Sequence, residues 1–512
     1  MISGEFKCLP HPSPLPEGEG AFLPSPSGRG VGGEGKEAPW RKEWRTCFNY
    51  LFLLIFLLSL TGCSIMSGYQ RPQSELPAAW SVAPAQNLQV GERWWTLYND
   101  SALNALIAEA FEHNRDLALA AARVDEARAL ARVAEAQMFP SIDATAQRDR
   151  TRSSEVSPLP IPASALDRSG YRAQLNVSYE LDLWGRLRGA SHAARAEVLA
   201  TEAARETVRL ALGADAVRAY FTLLALDEQI AVTRRALVLR DDNLRLQRVR
   251  HTAGLIGDYQ LRQLEAEVAA AQAQLPALER SRTAEELALA VLLGRSPRAI
   301  SASSVKRTAE HDAAPPALAP EGLPSDLLLR RPDIVQTEQR LIAVNARVAA
   351  ARAALFPRIA LTGYLGNESV ALRDLLSGPA LIWQLAFGLT QPIFQAGRVA
   401  GEIDALKARE QQALAQYQKA VQEAFREVQQ ALSAQTRARE IFEAESTRAA
   451  ALRDTVRLAR IRYDNGLVSQ LEVIDAERNL LAADLNRADA LRARRVAAAD
   501  LVRALGGGWS GK

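Results

Sequence analysis

The chain repeats itself, and this duplication limits the possible folds more than any other feature of the sequence. Three dipeptides recur at a spacing of 212 residues, and a Phe-Pro-x-Ile segment recurs at a spacing of 217. Each copy is predicted to contain a helix of middling length, two strands, one very long helix, a Gly-Leu turn and a helix that ends at Leu-Gly. The pairs are Gly185-Arg186 with Gly397-Arg398, Gly254-Leu255 with Gly466-Leu467, Leu293-Gly294 with Leu505-Gly506, and Phe139 with Phe356.

The two long helices are predicted over residues 187–252 and 398–464, where the sequence has no proline. At 1.5 Å per residue, such a helix extends about 100 Å, which is taller than any globular core. Apolar residues recur every seven positions, and in the first helix they form two adjoining series, which indicates two sets of helical neighbours. An isolated coiled coil is the alternative. The series are Ala216, Leu223, Ile230, Leu237 and Leu244, and Leu210, Val217, Leu224, Ala231 and Val238.

Residues 171–182 alternate strictly between apolar and polar side chains, as a strand with one oily and one wet face does. Residues 381–390 show the same period, and the runs 141–149 and 358–366 show it less cleanly. A soluble sandwich could use such strands, but charges opposite an aromatic oily face suit a barrel with lipid outside and water inside. Four strands cannot close a barrel in lipid, whereas three copies of the chain supply twelve strands, which can. The predicted fold is therefore mainly α-helical with a membrane β-barrel portion that closes as a trimer.

Residues 41–62 are predicted to be a lipoprotein signal peptide. Basic residues precede the apolar run 48–60, whose ~13 residues span only about 20 Å of a roughly 30 Å hydrocarbon core. The run ends in Leu60-Thr-Gly-Cys63, which resembles the lipobox of bacterial lipoproteins. This resemblance implies that Cys63 is the first mature residue and carries diacylglycerol and a palmitoyl chain. The alternative is an ordinary signal followed by a chance cysteine.

Residue 64 is Ser rather than Asp, and in the lipoprotein-sorting pattern this implies delivery to the outer membrane. Residues 1–40 are rich in proline and glycine and are interpreted as a non-native or disordered extension. Their Gly28-x-Gly30-x-x-Gly33 run lacks the strand and helix that a dinucleotide loop needs, so we treat it as accidental.

Composition excludes several classes of function. The balance of 62 basic and 59 acidic residues is too even to indicate a nucleic-acid partner. No cysteine follows Cys63, and the five histidines are scattered without ligand spacing. Neither a catalytic constellation nor a metal site is therefore expected, and apart from its lipid the chain is predicted to need no cofactor and to have no enzymatic activity.

Five segments together resemble the OprM/NodT branch of the TolC outer-membrane factor family, across residues 63–509. The resemblance implies a homotrimer with a 12-stranded barrel in the outer membrane, an α-helical tunnel through the periplasm and a belt of shorter helices. It also implies passive conduction, with energy from an inner-membrane transporter of the RND type joined through a periplasmic adaptor. The segments are Arg330-Arg-Pro-Asp-Ile334, Tyr179-Glu-Leu-Asp-Leu-Trp-Gly-Arg186, the two Phe-Pro junctions and Leu505-Gly-Gly-Gly-Trp509.

The duplication and the resemblance divide the chain into consecutive parts. These are an anchored segment (63–100), a first repeat (101–294), a linker or equatorial segment (295–324), a second repeat (325–506) and a tail (507–512).

The resemblance also implies where the tunnel closes. Glu472 and Asp475 match acidic positions at the closed mouth, and they lie three residues apart on one helix face. A trimer would then carry six carboxylates in a ring that favours cations. The alternative is a solvated helix start, where acids are favoured by the helix dipole. Tyr463 matches a position that holds the mouth shut.

The Gly-Leu turns are the candidate contacts for the adaptor. Gly254 and Gly466 would permit a left-handed turn, and Leu255 and Leu467 would offer apolar side chains at the periplasmic tips. Ordinary helix-turn-helix chemistry is the alternative explanation for the glycines. In the first copy Gln260 and Gln263 stand at the positions of the two acids, so only one hairpin carries the carboxylates.

Two other functions remain compatible with the sequence. One keeps the pore but changes its cargo, to secreted protein, metal ions or aromatic acids. The other is a structural coiled-coil lipoprotein without a lumen, which predicts no polar strand face and no ionic conductance.

Overall fold

The computed structural model of the protein describes residues 69–73, 75–77, 91–156, 162–302, 305–307, 325 and 327–507. The predicted extension, the signal peptide and Cys63 lie outside the described residues.

The described chain is mainly helical, with one four-stranded sheet, as predicted. Its helices are α1 (Ser101–His113), α2 (Arg115–Ala136), α3 (Arg186–Thr252), α4 (Asp258–Leu292), α5 (Pro297–Ala302), α6 (Leu327–Arg330), α7 (Pro332–Ala353), α8 (Arg398–Asp464) and α9 (Gln470–Ala504). Its strands are β1 (Ser141–Arg152), β2 (Asp167–Leu181), β3 (Arg358–Ser369) and β4 (Leu381–Thr390).

The structure repeats element by element with the two spacings seen in the sequence. Helices α3 and α8 both have 67 residues and α4 and α9 both have 35, and each of their ends is offset by 212. Helices α2 and α7 both have 22 residues and β1 and β3 both have 12, and each of their ends is offset by 217. The spacing changes between the first strand and the long helix of each copy, where β2 has 15 residues and β4 has 10.

Both long helices start where the sequence predicted, because a glycine adopts a left-handed conformation directly before each of them. Gly185 has φ = 81° and Gly397 has φ = 83°, which only glycine adopts readily. The first long helix packs against α2, α4, α7 and α9, and the second against α7 and α9. Each long helix therefore has more than one set of helical neighbours, as the two adjoining heptad series indicated.

The sheet is an antiparallel meander in the order β1-β2-β3-β4. Its register places Leu175 of β2 opposite Leu365 of β3, and Leu365 opposite Trp383 of β4. Since directly paired residues share a face, the oily faces predicted for separate strands form one continuous face. Within the described chain, β1 and β4 are edge strands whose outer sides have no partner.

The apolar face of the sheet is open rather than packed on a core. Trp383 is 73% exposed, and Leu385 and Phe387 are also exposed. An apolar surface of this extent on a folded protein marks a contact with lipid or another protein.

A belt of short elements packs against the middle of the long helices, and the main core lies between the two. Trp94, Trp95 and Tyr98 lie in a short 3-10 helix, and Tyr98 packs on Phe221 of α3 with ring centroids 4.9 Å apart. The Tyr98 hydroxyl donates to the Arg495 backbone oxygen at 2.8 Å, which joins the belt to α9.

In both copies the end of the last helix is joined to the belt by the same kind of contact, although different residues make it. Gly294, two residues beyond the end of α4, has φ = 68° and lies against the His113 carbonyl, and Asn114 Nδ2 donates to the Leu292 oxygen at 2.9 Å. In the second copy Gly506 has φ = 89° and lies against the Arg330 carbonyl, and Arg331 Nη1 donates to the Ala504 oxygen at 2.9 Å. These contacts fix how each returning helix meets its own repeat.

None of the described helices combines the length and the apolar character needed to span a membrane.

Candidate functional site

The first candidate tip is a tight turn between α3 and α4. Gly254 has φ = 71°, and its N–H donates to the His251 oxygen at 2.9 Å. The next N–H, of Leu255, donates back to the Arg250 oxygen at 2.9 Å. These two bonds define a Schellman motif, which satisfies carbonyls that the helix end would otherwise leave unpaired.

The second tip, between α8 and α9, has the same geometry. Gly466 has φ = 74°, and its N–H donates to the Tyr463 oxygen at 2.9 Å, while Leu467 N–H donates to the Arg462 oxygen at 2.8 Å. The left-handed glycine predicted at both turns is therefore present.

The leucine of each turn is mostly exposed. After a Schellman turn, the apolar residue commonly packs on the helix residues five or six positions earlier, which here are an arginine and an aliphatic residue in each copy. Leu255 and Leu467 nevertheless remain 71% and 70% exposed. Most of each leucine side chain is therefore accessible to a partner.

Tyr463 lies near the end of α8 and bonds to the first long helix. Its hydroxyl accepts from Gln247 Nε2 at 3.2 Å and from Arg250 Nη1 at 2.7 Å. Gln247 is fully buried, and its Nε2 also contacts Asn243 Oδ1 at 3.4 Å. The same Asn243 oxygen accepts from Gln470 Nε2 at 3.3 Å. A polar network therefore joins α3, α8 and α9 just above the tips.

This network is incompletely satisfied. Gln247 Oε1 is buried and has no hydrogen-bond partner among the described residues. A buried amide oxygen without a partner costs free energy, so this arrangement of the three helices is less stable than a fully paired one would be.

The two predicted acids lie on α9 close to arginines rather than to Tyr463. Glu472 Oε2 is 4.0 Å from Arg462 Nη1, and Asp475 Oδ1 is 3.3 Å from Arg478 Nη2. All four side chains are about half exposed, so these ion pairs are screened by water and contribute little to stability. Within one protomer the acids and Tyr463 thus lie at the same end of the bundle without bonding to each other.

The first copy uses one of its two corresponding positions for local structure. Gln260 Oε1 accepts from the Gly257 N–H at 2.8 Å and so caps the start of α4. His251 Nε2 lies 2.7 Å from Asp258 Oδ1 across the turn. The glutamine at a position that is acidic in the second copy therefore has a structural role.

Arginine–carboxylate pairs continue above the tips. Arg248 and Arg262 bond to Glu265 at 3.2 and 2.7 Å and hold the pKa of that carboxyl below its usual range. In the second copy Arg460 bonds to Glu477 at 2.6 Å.

Sequence reasoning missed Arg250 as a partner of Tyr463. A signal for it was present, because Arg250 and Arg462 are equivalent positions of the two copies, 212 apart, and both are arginine. The pairing itself depends on how α3 meets α8, which no local pattern reveals.

The wet face of the sheet carries cross-strand polar pairs. Arg172 Nη2 bonds to Glu368 Oε2 at 2.6 Å, and Asn176 Nδ2 donates to Thr145 Oγ1 at 3.0 Å. Where the sheet meets the helices, Arg186 bonds to both oxygens of Glu180, at 2.9 and 2.8 Å. One face of the sheet is therefore suited to water and the other to an apolar medium.

Comparison with known proteins points to one family. The chain matches the family described as outer membrane efflux protein over residues 106–295 and 323–507. It is 35% identical over 473 residues to the toluene efflux pump outer membrane protein TtgI of Pseudomonas putida, a match that covers 89% of this chain and 97% of that protein.

Two further relatives support the same assignment. The chain is 33% identical over 458 residues to the cation efflux system protein CusC of Escherichia coli, covering 88% of this chain and 97% of CusC. Its fold is similar to the crystal structure of the Campylobacter jejuni CmeC outer membrane channel, with a TM-score of 0.82 and 25% identity over 88% of this chain and 96% of that one.

Proposed function

This chain belongs to the outer membrane efflux protein family, and from that premise we propose that three copies join their sheets into one 12-stranded channel wall. The protein is an outer-membrane efflux channel. The observation that carries the trimer is the open sheet, with one continuous apolar face, one polar face and two unpaired edges. Since an unpaired strand edge is not tolerated in lipid, β1 of one copy pairs with β4 of the next.

Conductance tests this proposal directly. The detergent-extracted protein, reconstituted into planar bilayers, should give discrete ionic conductance steps. Proline at both Ala144 and Ala146 removes two backbone N–H groups from the edge strand β1 and should abolish the channel. A wild-type protein that conducts no ions would contradict the proposal.

We propose that the ends of α3, α4, α8 and α9 form the periplasmic mouth, and that Tyr463 helps to keep it closed. The bonds of its hydroxyl to Gln247 and Arg250 support this role, because they tie the second hairpin to the first. Tyr463→Phe should keep the fold and raise the open probability of single channels. Tyr259→Phe, an exposed tyrosine near the first tip, is the control and should leave gating unchanged.

Glu472 and Asp475 are proposed to set the cation preference of that mouth. Both are half exposed, and three copies would bring six carboxylates together. Glu472→Gln with Asp475→Asn should lower cation selectivity measured from reversal potentials in a salt gradient. Asp489→Asn, on the same helix but away from the tip, should not. Unchanged selectivity in the double variant would reject the role.

Leu255 and Leu467 are proposed to contact a periplasmic adaptor, which in turn joins the channel to an inner-membrane transporter of the RND type. Their exposure at the two turns supports this. Serine at both positions should abolish adaptor cross-linking while the assembly stays intact. Leu376→Ser, at an exposed leucine in the β3–β4 loop, is the matched control. Retained cross-linking would refute the contact.

The lipid anchor is proposed at Cys63, with diacylglycerol and a palmitoyl chain. Just downstream, Arg71 bonds to Glu338 of α7 at 2.6 and 2.9 Å, so the chain after the anchor is held against the helical region. Palmitate labelling should be lost in Cys63→Ser and kept in Cys47→Ser. Labelling that survives the first substitution would exclude this site.

The cargo is proposed to be drugs or other small molecules chosen by the transporter. The names of similar channels refer to toluene in one case and to cations in another, although both are about one-third identical to this chain. Such different names among similar channels support selection of the cargo by the transporter rather than by the channel.

A further inference from the structure

Strand β1 carries a row of arginines on the same face as the apolar side chains. Residues Ile142, Ala144 and Ala146 pair with Val177, Leu175 and Ala173 on the oily face of β2, and the alternation of the strand continues that face upward. The next residues on it are Arg148, Arg150 and Arg152.

The row begins at the height where the apolar face ends. The apolar residues of β2 run from Leu181 to Ala173, eight steps of about 3.4 Å, which is about 20 Å of height at a typical barrel tilt. The next outward residue of β2 is Tyr171, opposite Arg148, whose guanidinium lies over the tyrosine ring at 5.5 Å from its centroid. An aromatic residue at this level is typical of the interface between hydrocarbon and headgroups.

This end of the sheet faces away from the helices. The helices join the sheet at Ser141, Leu181, Arg358 and Thr390, whereas Arg148 and Arg150 lie near the opposite end, where loops connect the strands. With the helices in the periplasm, the arginines lie at the level of the outer leaflet.

Arg148 and Arg150 are exposed, and among the described residues neither has a carboxylate within ion-pair distance. The intervening Asp149 lies over Gly170 on the other face of the sheet. Arg172 on that wet face, by contrast, has Glu368 as its partner. Two arginines on a lipid-facing surface need anionic partners, and the described residues of the chain provide none.

We propose that Arg148 and Arg150 bind the phosphate groups of outer-leaflet lipid headgroups, and that the phosphorylated glycolipid of the bacterial outer leaflet is the occupant. Guanidinium groups match phosphate oxygens in a bidentate geometry, and side chains two residues apart on one strand face can engage a single headgroup. Arg152 already pairs with Asp167 and Glu155 and lies above the site. The inference rests on the proposed function, because only closure of the sheet in the membrane turns this face to lipid.

Native mass spectrometry of the detergent-extracted full-length assembly tests the site with bisphosphorylated lipid A as the probe. Arg148→Gln with Arg150→Gln should weaken lipid A binding by about 10- to 30-fold, from the usual contribution of a basic residue at an anionic membrane surface. The matched control is Arg168→Gln with Arg172→Gln, which removes two charges from the same end of the sheet but from its wet face, and it should bind like the wild type.

Removal of the phosphates from lipid A should weaken its binding to the wild type at least as much as the double substitution weakens binding of intact lipid A. Equal binding of lipid A to the wild type and to the Arg148/Arg150 variant would overturn the site, as would an equal loss in the wet-face control. Mass and conductance of the same preparations separate the two proposals. A conducting trimer that binds lipid A independently of these arginines defeats this inference alone, whereas a wild type that neither assembles nor conducts defeats both.

Discussion

Alanine at Gly294 should destabilise the protein much more than alanine at Gly254. The two glycines have almost the same backbone conformation, with φ = 68° and 71°. They differ in the space around them. A Cβ at Gly294 would lie 2.0 Å from the His113 oxygen, whereas a Cβ at Gly254 would meet no atom within 4 Å.

The magnitudes follow from these two environments. A left-handed conformation costs an alanine about 1–2 kcal/mol, and this cost applies at both sites. At Gly294 the end of α4 must also move away from the α1–α2 junction. That movement breaks the bond from Asn114 Nδ2 to the Leu292 oxygen, and leaving a buried polar group unpaired costs about 1–3 kcal/mol more. We therefore expect about 2–5 kcal/mol at Gly294 and about 1–2 kcal/mol at Gly254.

The second copy provides an internal repeat of the experiment. A Cβ at Gly506 would lie 2.9 Å from the Arg330 oxygen, while the space around Gly466 is empty. Alanine at Gly506 should therefore destabilise more than alanine at Gly466, and less than alanine at Gly294.

The assay is the midpoint of thermal loss of helical circular dichroism for the four variants in one detergent. The expected order of loss is Gly294, then Gly506, then Gly254 and Gly466 together. Four equal losses, or the largest loss at one of the tips, would show that the belt junctions do not constrain the fold as described.

Three other substitutions test separate contacts. Arg331→Met removes a buried cation that bonds to Glu427 at 2.8 Å and to the Ala504 oxygen at 2.9 Å, and it should lower stability by about 1–3 kcal/mol in chemical denaturation, because the Ala504 carbonyl loses a partner while Glu427 is 41% exposed; an unchanged stability would contradict this. Arg71→Ala removes both bonds to the buried carboxylate of Glu338, so limited proteolysis should cleave the N-terminal segment faster than in Arg71→Lys. Equal cleavage rates in the two variants would show that Arg71 does not hold this segment against the helices. Burial raises the pKa of Glu285, so its charged form is disfavoured in the folded state and stability falls as pH rises through the window above about 4.3. Glu285→Gln should therefore raise the thermal midpoint at pH 7 and not below pH ~4, and an equal gain at both would refute the assignment.

The long elements could be predicted from the sequence because local rules determine them. The first long helix was predicted over 187–252 and runs from Arg186 to Thr252, and the second was predicted over 398–464 and matches at both ends. Glycines with obligatory positive φ stand beside these boundaries, and a repeated spacing marks them twice. The strand faces followed from alternation in the same way.

The pairing between elements could not be predicted. Alternation repeats every two residues, so any even shift of β2 against β3 keeps the oily face, and only the structure places Leu175 opposite Leu365. The ends of β1 and β3 were placed three residues too early, at 149 and 366, because arginines and polar residues interrupt their alternation.

The belt junctions show why duplication alone was insufficient. Asn114 and Arg331 stand at equivalent positions and bond to equivalent carbonyls, but one is an amide and the other a guanidinium. A comparison of the two copies residue by residue therefore shows no match at these positions. Their common role becomes visible only when the helix ends are in place.

The mass of the detergent-extracted assembly, measured by native mass spectrometry, tests the central claim most directly. If four strands per chain form one third of a channel wall, the assembly should have three times the mass of one mature chain. A stable single chain, with its β1 and β4 edges exposed to detergent, would contradict the account.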